Sequence, residues 1–318
     1  MRTYRVKPEF EKFKKYRLPR NVVAIAFLNL FIKISNLFVR SPKNVNVQKK
    51  YVITRDQKRI KLTVYSPLSY HGDIPCLLYF PGGGFMMGAN SAHKRTSALL
   101  SEKVNCHVIL VHYRLAPRHL FPTALFDAVD AFHWVYDRAK EFSVDKSKIA
   151  IGGDSSGGSI AAGVALMMRD QKGPKACLQV LIYPALDKLS ADYSSRRKFD
   201  DAPVFNTRIF AYINKIVYKK GFFGLKNYAY PLVEQSYVNL PPAYIETAEF
   251  DCLHDDGVRY ASALKTAGVP STLVETKGTF HGFDAVADSP VTRKCMKQRI
   301  VVLKSAFSKS SNNLEDNN

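Results

Sequence analysis

Residues 149–158 read Ile-Ala-Ile-Gly-Gly-Asp-Ser-Ser-Gly-Gly, so an apolar, strand-like segment leads directly into a Gly-x-Ser-x-Gly pattern. The helix-compatible residues 159–162, Ser-Ile-Ala-Ala, follow at once. The backbone is crowded where a strand reverses sharply into a helix, and Gly153 and Gly157 lack the side chains that would collide there. Such a turn holds Ser155 in a strained, exposed position, which is the setting of a nucleophilic serine.

Main-chain amides near this serine are suited to bind negative charge. A helix beginning at Ser156 directs its free N–H groups and its positive dipole end towards the serine. Upstream, residues 81–85 read Pro-Gly-Gly-Gly-Phe after a predicted strand. A phosphate-binding loop is the rival interpretation, but the sequence has no Gly-x-x-x-x-Gly-Lys-Ser/Thr pattern there. We therefore predict an oxyanion hole in which Gly83 and Gly84 supply the amides that Ser156 does not.

A histidine and an aspartate complete the predicted site. Among the eight histidines, His281 is distinctive because residues 278–283, Gly-Thr-Phe-His-Gly-Phe, follow the last predicted strand. Open α/β sheets place functional groups beyond the carboxyl ends of their strands. Asp251, Asp255 and Asp256 follow the preceding strand, and Asp251 is the closest to its end. The other two are placed to cap a helix or interact with its dipole. We predict His281 as general base and Asp251 as the residue that orients it.

Apolar runs of strand length alternate with helical patterns along most of the chain. The predicted strands are residues 51–54, 59–65, 75–80, 106–113, 148–152, 177–183, 243–248 and 271–275. The predicted helices are residues 91–103, 123–140, 156–169, 255–267 and 291–307. This alternation is typical of an α/β fold with a mostly parallel sheet and helices on both faces.

Two segments depart from this alternation. Residues 21–32 are apolar except for two Asn, and they follow a basic stretch. Helical spacing relates the apolar positions Val23, Phe27, Leu30, Phe31, Ile34 and Phe38. The segment is too short to span a membrane and lacks the cleavage site of a signal peptide, so we interpret it as a cap helix, with surface membrane contact as a lesser option. Residues 186–227 are basic and aromatic and indicate an insertion that joins this lid, unless their aromatic side chains simply fill a core.

These observations predict four parts of the chain. Residues 1–45 form an N-terminal cap segment, 46–185 the first part of the α/β core, 186–227 a cap insertion and 228–318 the second part of the core. The tail, residues 309–318, is predicted to be unfolded.

The formal net charge of +20 could attract nucleic acid, anionic lipid or an acidic substrate. Lys and Arg are spread along the chain rather than gathered in one basic block, so no nucleic-acid partner is expected. The five cysteines lack Cys-x-x-Cys spacing and no His-Glu-x-x-His pattern occurs. The sequence therefore predicts neither a disulfide framework nor a metal site. We expect a cytoplasmic protein that uses no cofactor.

With these motifs, the chain resembles the hormone-sensitive-lipase-like esterases and lipases of the α/β-hydrolase fold. The resemblance rests on residues 81–85, Tyr-Arg-Leu-Ala-Pro at 113–117, residues 153–158, the segment around Asp251, and His-Gly-Phe at 281–283. It implies an α/β-hydrolase fold with a helical cap built from the N-terminal region and the insertion. The order Ser155, Asp251, His281 along the chain is the one expected for that fold.

The chain departs from the family pattern at several positions. Pro81 stands where the family usually has a His that steadies the glycine loop, so the rigid φ of Pro81 must hold the loop instead. Ser156 replaces a common Ala, Arg118 a typical Glu, and Cys252 a frequent Pro. These changes bear on substrate preference and efficiency more than on the type of reaction.

The resemblance implies hydrolysis of short- to medium-chain acyl or acetyl esters through an acyl-enzyme on Ser155, with a small-molecule ester as the partner.

Two alternatives stay open. One is a membrane-surface lipase that uses the basic, apolar N-terminus in weak contact with anionic lipid. The other is a non-catalytic small-ligand receptor of the same fold, because a hormone receptor related to this family lacks the catalytic histidine. Retention of His281 argues against the receptor. Homo-oligomerisation is left open.

Overall fold

One eight-stranded sheet organises the protein, in a computed structural model that describes residues 3–38 and 43–308. The strands are β1 (Val45–Ile53), β2 (Arg59–Pro67), β3 (Ile74–Phe80), β4 (His107–His112), β5 (Val144–Asp154), β6 (Gln179–Ile182), β7 (Ala243–Phe250) and β8 (Ser271–Phe280). Their order across the sheet is β1-β2-β4-β3-β5-β6-β7-β8. The strands from β4 to β8 in this order are parallel, whereas β2 pairs antiparallel with β1 and β4. The predicted α/β class with a mostly parallel sheet is confirmed.

Helices connect the strands and cover the sheet. They are α1 (Val22–Leu37), α2 (Ser91–Val104), α3 (Thr123–Asp137), α4 (Ser156–Asp170), α5 (Ser194–Lys198), α6 (Thr207–Val217), α7 (Lys226–Ala229), α8 (His254–Thr266) and α9 (Pro290–Ser308). Every strand and helix predicted from the sequence is present. Two boundaries differ most: β1 begins at Val45, six residues before its predicted start, and β8 continues to Phe280, five residues beyond its predicted end. The longer β8 delivers the chain directly to His281.

The burial of the central strands explains their composition. All four residues of β6 are buried, as are six of the seven in β3, because side chains on both faces of these strands meet covering helices. By contrast, β1 lies at the edge of the sheet and is largely exposed. The carboxyl ends of the parallel strands therefore share one edge of a rigid, buried sheet, and it is there that the candidate residues lie.

The N-terminal region lies against the same edge and contacts the insertion. The amide of Leu18 donates to Val204 O at 2.9 Å, and the amide of Val204 donates to Tyr16 O at 2.8 Å. A second link joins the Lys7 amide to Gly278 O at 2.9 Å, close to the end of β8. Helices α5, α6 and α7 lie between β6 and β7, where the insertion is predicted. The exact cap boundaries remain predictions, and the predicted unfolded tail lies outside the described residues.

Candidate active site

Ser155 occupies the sharp turn between β5 and α4, where it is buried rather than exposed as predicted, because residues of α1 and of the insertion line the cavity above it. Its backbone has φ 53° and ψ −120°, a left-handed conformation that is unfavourable for a residue with a side chain. The turn is so tight that a Cβ on Gly157 would lie 1.9 Å from Phe80 O. Glycine is therefore required at position 157 for the strand to turn into the helix, as the sequence pattern predicts.

The structure brings the three side chains predicted for catalysis together. Ser155 Oγ lies 2.8 Å from His281 Nε2, and His281 Nδ1 lies 2.7 Å from Asp251 Oδ2. Asp251 is fully buried, and its Oδ1 accepts a hydrogen bond of 2.9 Å from the Leu253 amide. A carboxylate can only accept, so Nδ1 of His281 carries a proton and Nε2 is free to accept one from Ser155.

Two aromatic rings confine the imidazole of His281. The ring of Tyr183 lies 4.7 Å and that of Phe205 lies 4.6 Å from it, centroid to centroid. Burial, followed by the charge of Asp284, raises the pKa of Tyr183, so its hydroxyl stays protonated and donates to Asp284. This link keeps Tyr183 in place and thereby restricts the orientation of His281. Tyr183 is not among the site residues predicted from the sequence, although it is the last residue of a predicted apolar strand.

The glycine loop faces Ser155 across the same cavity. Gly83 and Gly84 have positive φ angles of 130° and 61°, and both line this cavity together with Ser155 and His281. Among the residues that the structure describes, no acceptor is hydrogen-bonded to the amides of Gly83 and Gly84. The amide of Ser156 belongs to the first turn of α4 and has no intrahelical partner. The three amides predicted for the oxyanion hole are therefore available to a ligand.

Two cavities meet at Ser155. The larger has a volume of about 410 Å³ and is bordered by α1, and the smaller, of about 20 Å³, is lined by residues of the glycine loop, the start of α4 and the insertion. Gly84, Phe205 and Ile213 line both cavities. Ile213 Cδ1 lies 2.5 Å from the position that a Cβ on Gly84 would occupy. Contact between Ile213 and the glycine loop therefore separates the two cavities.

Comparison with known proteins identifies the family. A family model described as alpha/beta hydrolase fold matches residues 77–285, more than half of the chain. The chain belongs to this α/β-hydrolase family.

Several relatives of this α/β-hydrolase are named as esterases. Esterase LipI from Mycobacterium tuberculosis is 34% identical over 236 residues, which are 73% of each chain. An arylesterase from Saccharolobus solfataricus is 32% identical over 288 residues, 87% of this chain and 91% of the relative. The solved structure of a bacterial heroin esterase matches with a TM-score of 0.87 and 27% identity, covering 96% of this chain and 99% of that one. The predicted fold and the resemblance to hormone-sensitive-lipase-like esterases are confirmed.

In this α/β-hydrolase the glycine loop is held by more than the rigid φ of Pro81. Asp154 Oδ1 accepts from the Gly82 amide at 3.0 Å and from the Tyr79 hydroxyl at 2.9 Å. The Tyr113 hydroxyl donates to Pro81 O at 2.6 Å. The loop is thus fixed by side chains from the neighbouring strands, without the histidine that the family usually has there. Sequence reasoning missed this role of Asp154, although it lies inside the Gly-x-Ser-x-Gly pattern.

Asp154 also contacts a histidine. His93 Nε2 lies 3.2 Å from Asp154 Oδ2, while His93 Nδ1 accepts a 3.0 Å hydrogen bond from the Asn90 amide at the start of α2. Burial raises the pKa of Asp154, but its polar contacts, led by His93, outweigh burial and lower it. Asp154 is therefore a carboxylate, which can accept from all of its partners at once.

Replacing Asp154 by Ala should lower the free energy of unfolding by about 1–3 kcal/mol, because it leaves buried donors of the glycine loop and of β3 without an acceptor. The measurement is urea denaturation followed by circular dichroism. The matched control is Asp73→Ala, at an exposed position, which should change the free energy of unfolding by less than about 0.5 kcal/mol. Equal effects of the two substitutions would contradict the role of Asp154.

The two aspartates that follow Asp251 hold the insertion. Asp256 accepts from the Leu186 amide at 2.8 Å and pairs with the buried Arg196 at 2.7 Å. Asp255 accepts from the Ser195 amide at 3.0 Å. Both lie in the first turn of α8, as predicted, but their partners across the fold were not foreseen. Of the three candidate carboxylates, Asp251 is the one that contacts His281.

The described part of the chain contains neither a membrane-spanning helix nor a metal-binding cluster. Within residues 3–38 and 43–308, no helix is both long enough and apolar enough to cross a bilayer. The same residues contain no group of three or more His, Cys, Asp or Glu side chains placed to hold a metal ion. The cytoplasmic location stays a prediction.

Proposed function

We propose that this α/β-hydrolase is a serine carboxylesterase, with Ser155 as nucleophile, His281 as general base and Asp251 as the group that orients the base. The observation that carries the proposal is the hydrogen-bonded chain from Asp251 through His281 to Ser155, with distances of 2.7 and 2.8 Å. The esterase names of the relatives agree with it. A receptor that only binds its ligand would not need this arrangement, and we therefore favour the enzyme.

The proposed reaction has two halves. Ser155 Oγ attacks the carbonyl carbon of the ester while Nε2 of His281 takes its proton, and the carbonyl oxygen becomes an oxyanion bound by the amides of Gly83, Gly84 and Ser156. The bond to the alcohol then breaks, and His281 returns the proton to the leaving oxygen. Water, deprotonated by the same imidazole, attacks the acyl-enzyme, the bond between the acyl carbon and Ser155 Oγ breaks, and His281 gives its proton to Ser155 Oγ as the acid is released. Asp251 stabilises the imidazolium that forms in each half.

Covalent labelling tests the proposed nucleophile. A fluorophosphonate reacts with a serine that a neighbouring base activates, and we expect one adduct, located on Ser155 by mass spectrometry of the digested protein. Prior heat denaturation, which separates Ser155 from His281, should abolish labelling. Labelling elsewhere, or none in the native protein, would contradict the assignment.

The two cavities suggest which ester groups fit. A cavity of about 20 Å³ has room for roughly one water-sized group, which matches the methyl of an acetyl group. The larger cavity, of about 410 Å³, accepts a bulkier group. We assign the small cavity to the acyl group and the large one to the alcohol, so acetyl and other short acyl esters are the preferred substrates.

Replacing Ile213 by Ala should shift the acyl preference towards longer chains. The substitution removes the side chain that separates the two cavities. Each methylene of a longer acyl chain that then enters a hydrophobic site favours binding by about 1 kcal/mol or more. We expect the ratio of kcat/KM for p-nitrophenyl hexanoate over acetate to rise about tenfold. The matched control is Ile216→Ala, on the same helix but outside the residues that line either cavity, which should leave the ratio within about twofold. An unchanged ratio in the Ile213 variant would refute the acyl assignment.

Ester hydrolysis should slow on acidification. A protonated His281 donates from both nitrogens and cannot accept the proton of Ser155, so the rate is highest on the alkaline side and falls towards acid. The measurement is kcat/KM for p-nitrophenyl acetate between about pH 5 and 8. Circular dichroism at each pH shows that the fold is unchanged. A flat profile would argue against His281 as the base.

A further inference from the structure

The outward face of α1 is an apolar stripe in contact with water. Along the helix, side-chain exposure is 63% at Val23, 68% at Phe27, 52% at Leu30, 66% at Phe31 and 81% at Leu37. These positions follow helical spacing, so they share one side of the helix. Contiguous apolar surface of this kind marks a binding site for a partner.

The stripe cannot be buried by rotating the helix, because its opposite side is fixed. Asn29 Nδ2 donates to Met86 O at 2.8 Å, and its Oδ1 accepts from the Gly88 amide at 3.0 Å. Two turns further, Asn36 Nδ2 donates to Ala89 O at 2.9 Å. These contacts seat the polar side of α1 on the segment that follows the glycine loop, and they direct the apolar side outwards.

Basic residues lie before α1, within it and near its end. The first 45 residues contain eleven Lys or Arg and two Glu, and α1 itself carries Lys33 and no acidic residue. Arg20 and Lys33 are exposed, and Lys94 donates to the carbonyl of Asn36 near the end of the helix. A second copy of this chain would bring the same positive charge to the interface and be repelled. An anionic surface with an apolar interior complements both the stripe and its surroundings.

We propose that the outward face of α1 docks the protein on an anionic phospholipid surface. The helix has 16 residues, which at about 1.5 Å per residue is too short to span a bilayer, so it lies in the plane of the interface. Its apolar side chains enter the acyl boundary while the basic residues contact lipid phosphates. This places the protein on the membrane as a peripheral protein.

The docked face lies beside the mouth of the large cavity. Leu28, Phe31 and Ile32 of α1 line that cavity. Docking therefore brings the cavity to the level of the lipid, where a lipophilic ester can enter it without passing through water. This last step rests on the proposed esterase function, whereas docking itself does not.

Vesicle co-sedimentation tests the docking surface. The full chain is mixed with vesicles of phosphatidylcholine alone or of equimolar phosphatidylcholine and phosphatidylglycerol. We expect binding to the anionic vesicles to be at least about tenfold stronger, and to weaken about tenfold when NaCl is raised to about 0.5 M, where charges are screened. The triple variant Phe27→Gln/Leu30→Gln/Leu37→Gln should bind at least about tenfold more weakly. None of its three positions lines the large cavity, so hydrolysis of soluble p-nitrophenyl acetate should stay unchanged.

The matched control removes three comparably exposed apolar side chains elsewhere. Leu68, Phe223 and Val301 are 67%, 64% and 65% exposed, and their triple replacement by Gln should leave vesicle binding unchanged. Arg20→Glu/Lys33→Glu tests the charges separately and should also weaken binding to anionic vesicles. Measuring the binding of Ser155→Ala as well separates docking from catalysis, since docking needs no activity.

Three results would overturn the proposal. The first is equal binding of the two triple variants to anionic vesicles, and the second is equal binding of the native protein to neutral and anionic vesicles. The third is a native protein that binds no vesicles but forms a dimer in solution, which the α1 triple variant does not form and the control triple variant does.

Discussion

Ser155→Ala should lower the turnover of p-nitrophenyl acetate by a factor on the order of 10⁴ to 10⁶. The substitution removes the proposed nucleophile, the oxygen that lies 2.8 Å from His281 Nε2. Alanine keeps a Cβ in the same strained backbone conformation, so the fold should be unchanged. The free energy of unfolding should change by less than about 1 kcal/mol. Activity is measured by steady-state kinetics, and stability by urea denaturation of the same preparation.

The control for this variant is Ser159→Ala. Ser159 is buried one turn further along α4, and its hydroxyl donates to Ala185 O, away from the imidazole. We expect its turnover to stay within about tenfold of the native protein. Near-native activity of Ser155→Ala, in a preparation free of contaminating esterase, would refute the proposed nucleophile.

Asp251→Asn should lower kcat by about 10⁴-fold, as the equivalent exchange does in a serine protease with a Ser-His-Asp triad. An amide can donate its N–H₂ to His281 Nδ1, which favours the tautomer with the proton on Nε2. That nitrogen then points a hydrogen at Ser155 and cannot accept one. The loss should appear in kcat, with KM changed little, because the substrate does not contact the buried Asp251.

The neighbouring carboxylate provides the control for Asp251. Asp255→Asn changes the same atoms four residues further on, in a side chain that contacts His254 and Ser195 rather than His281. Its kcat should stay within about tenfold of the native value. If Asp255→Asn lost activity and Asp251→Asn retained it, the orienting acid would have been assigned to the wrong aspartate.

The site could be predicted to this extent because each of its parts has a local signal. The glycines around Ser155, the carboxylate after β7 and the histidine after β8 all follow apolar strands, and the carboxyl ends of parallel strands meet at one edge of the sheet. Side chains 126 and 30 residues apart in the chain therefore come into hydrogen-bond distance. The alternation of strands and helices predicted the sheet for the same reason.

The support of the glycine loop could not be predicted in this way. Asp154 binds partners that are 61 to 75 residues away, and no period or spacing connects them. The ion pair of Arg196 with Asp256 is similar, because a charged residue in an insertion carries no sign that it will be buried. Such contacts depend on how loops and helices pack in three dimensions, and a single sequence records the residues but not their partners.

The way Asn29 holds the glycine-loop segment has an evolutionary consequence. Its two hydrogen bonds reach only main-chain atoms, Met86 O and the Gly88 amide, which any residue at 86 and any residue except proline at 88 would provide. Mutations that exchange the outer residues of α1 can therefore accumulate without matching changes in the reaction centre. One asparagine would let descendants of this protein adapt to new surroundings while inheriting the same chemistry.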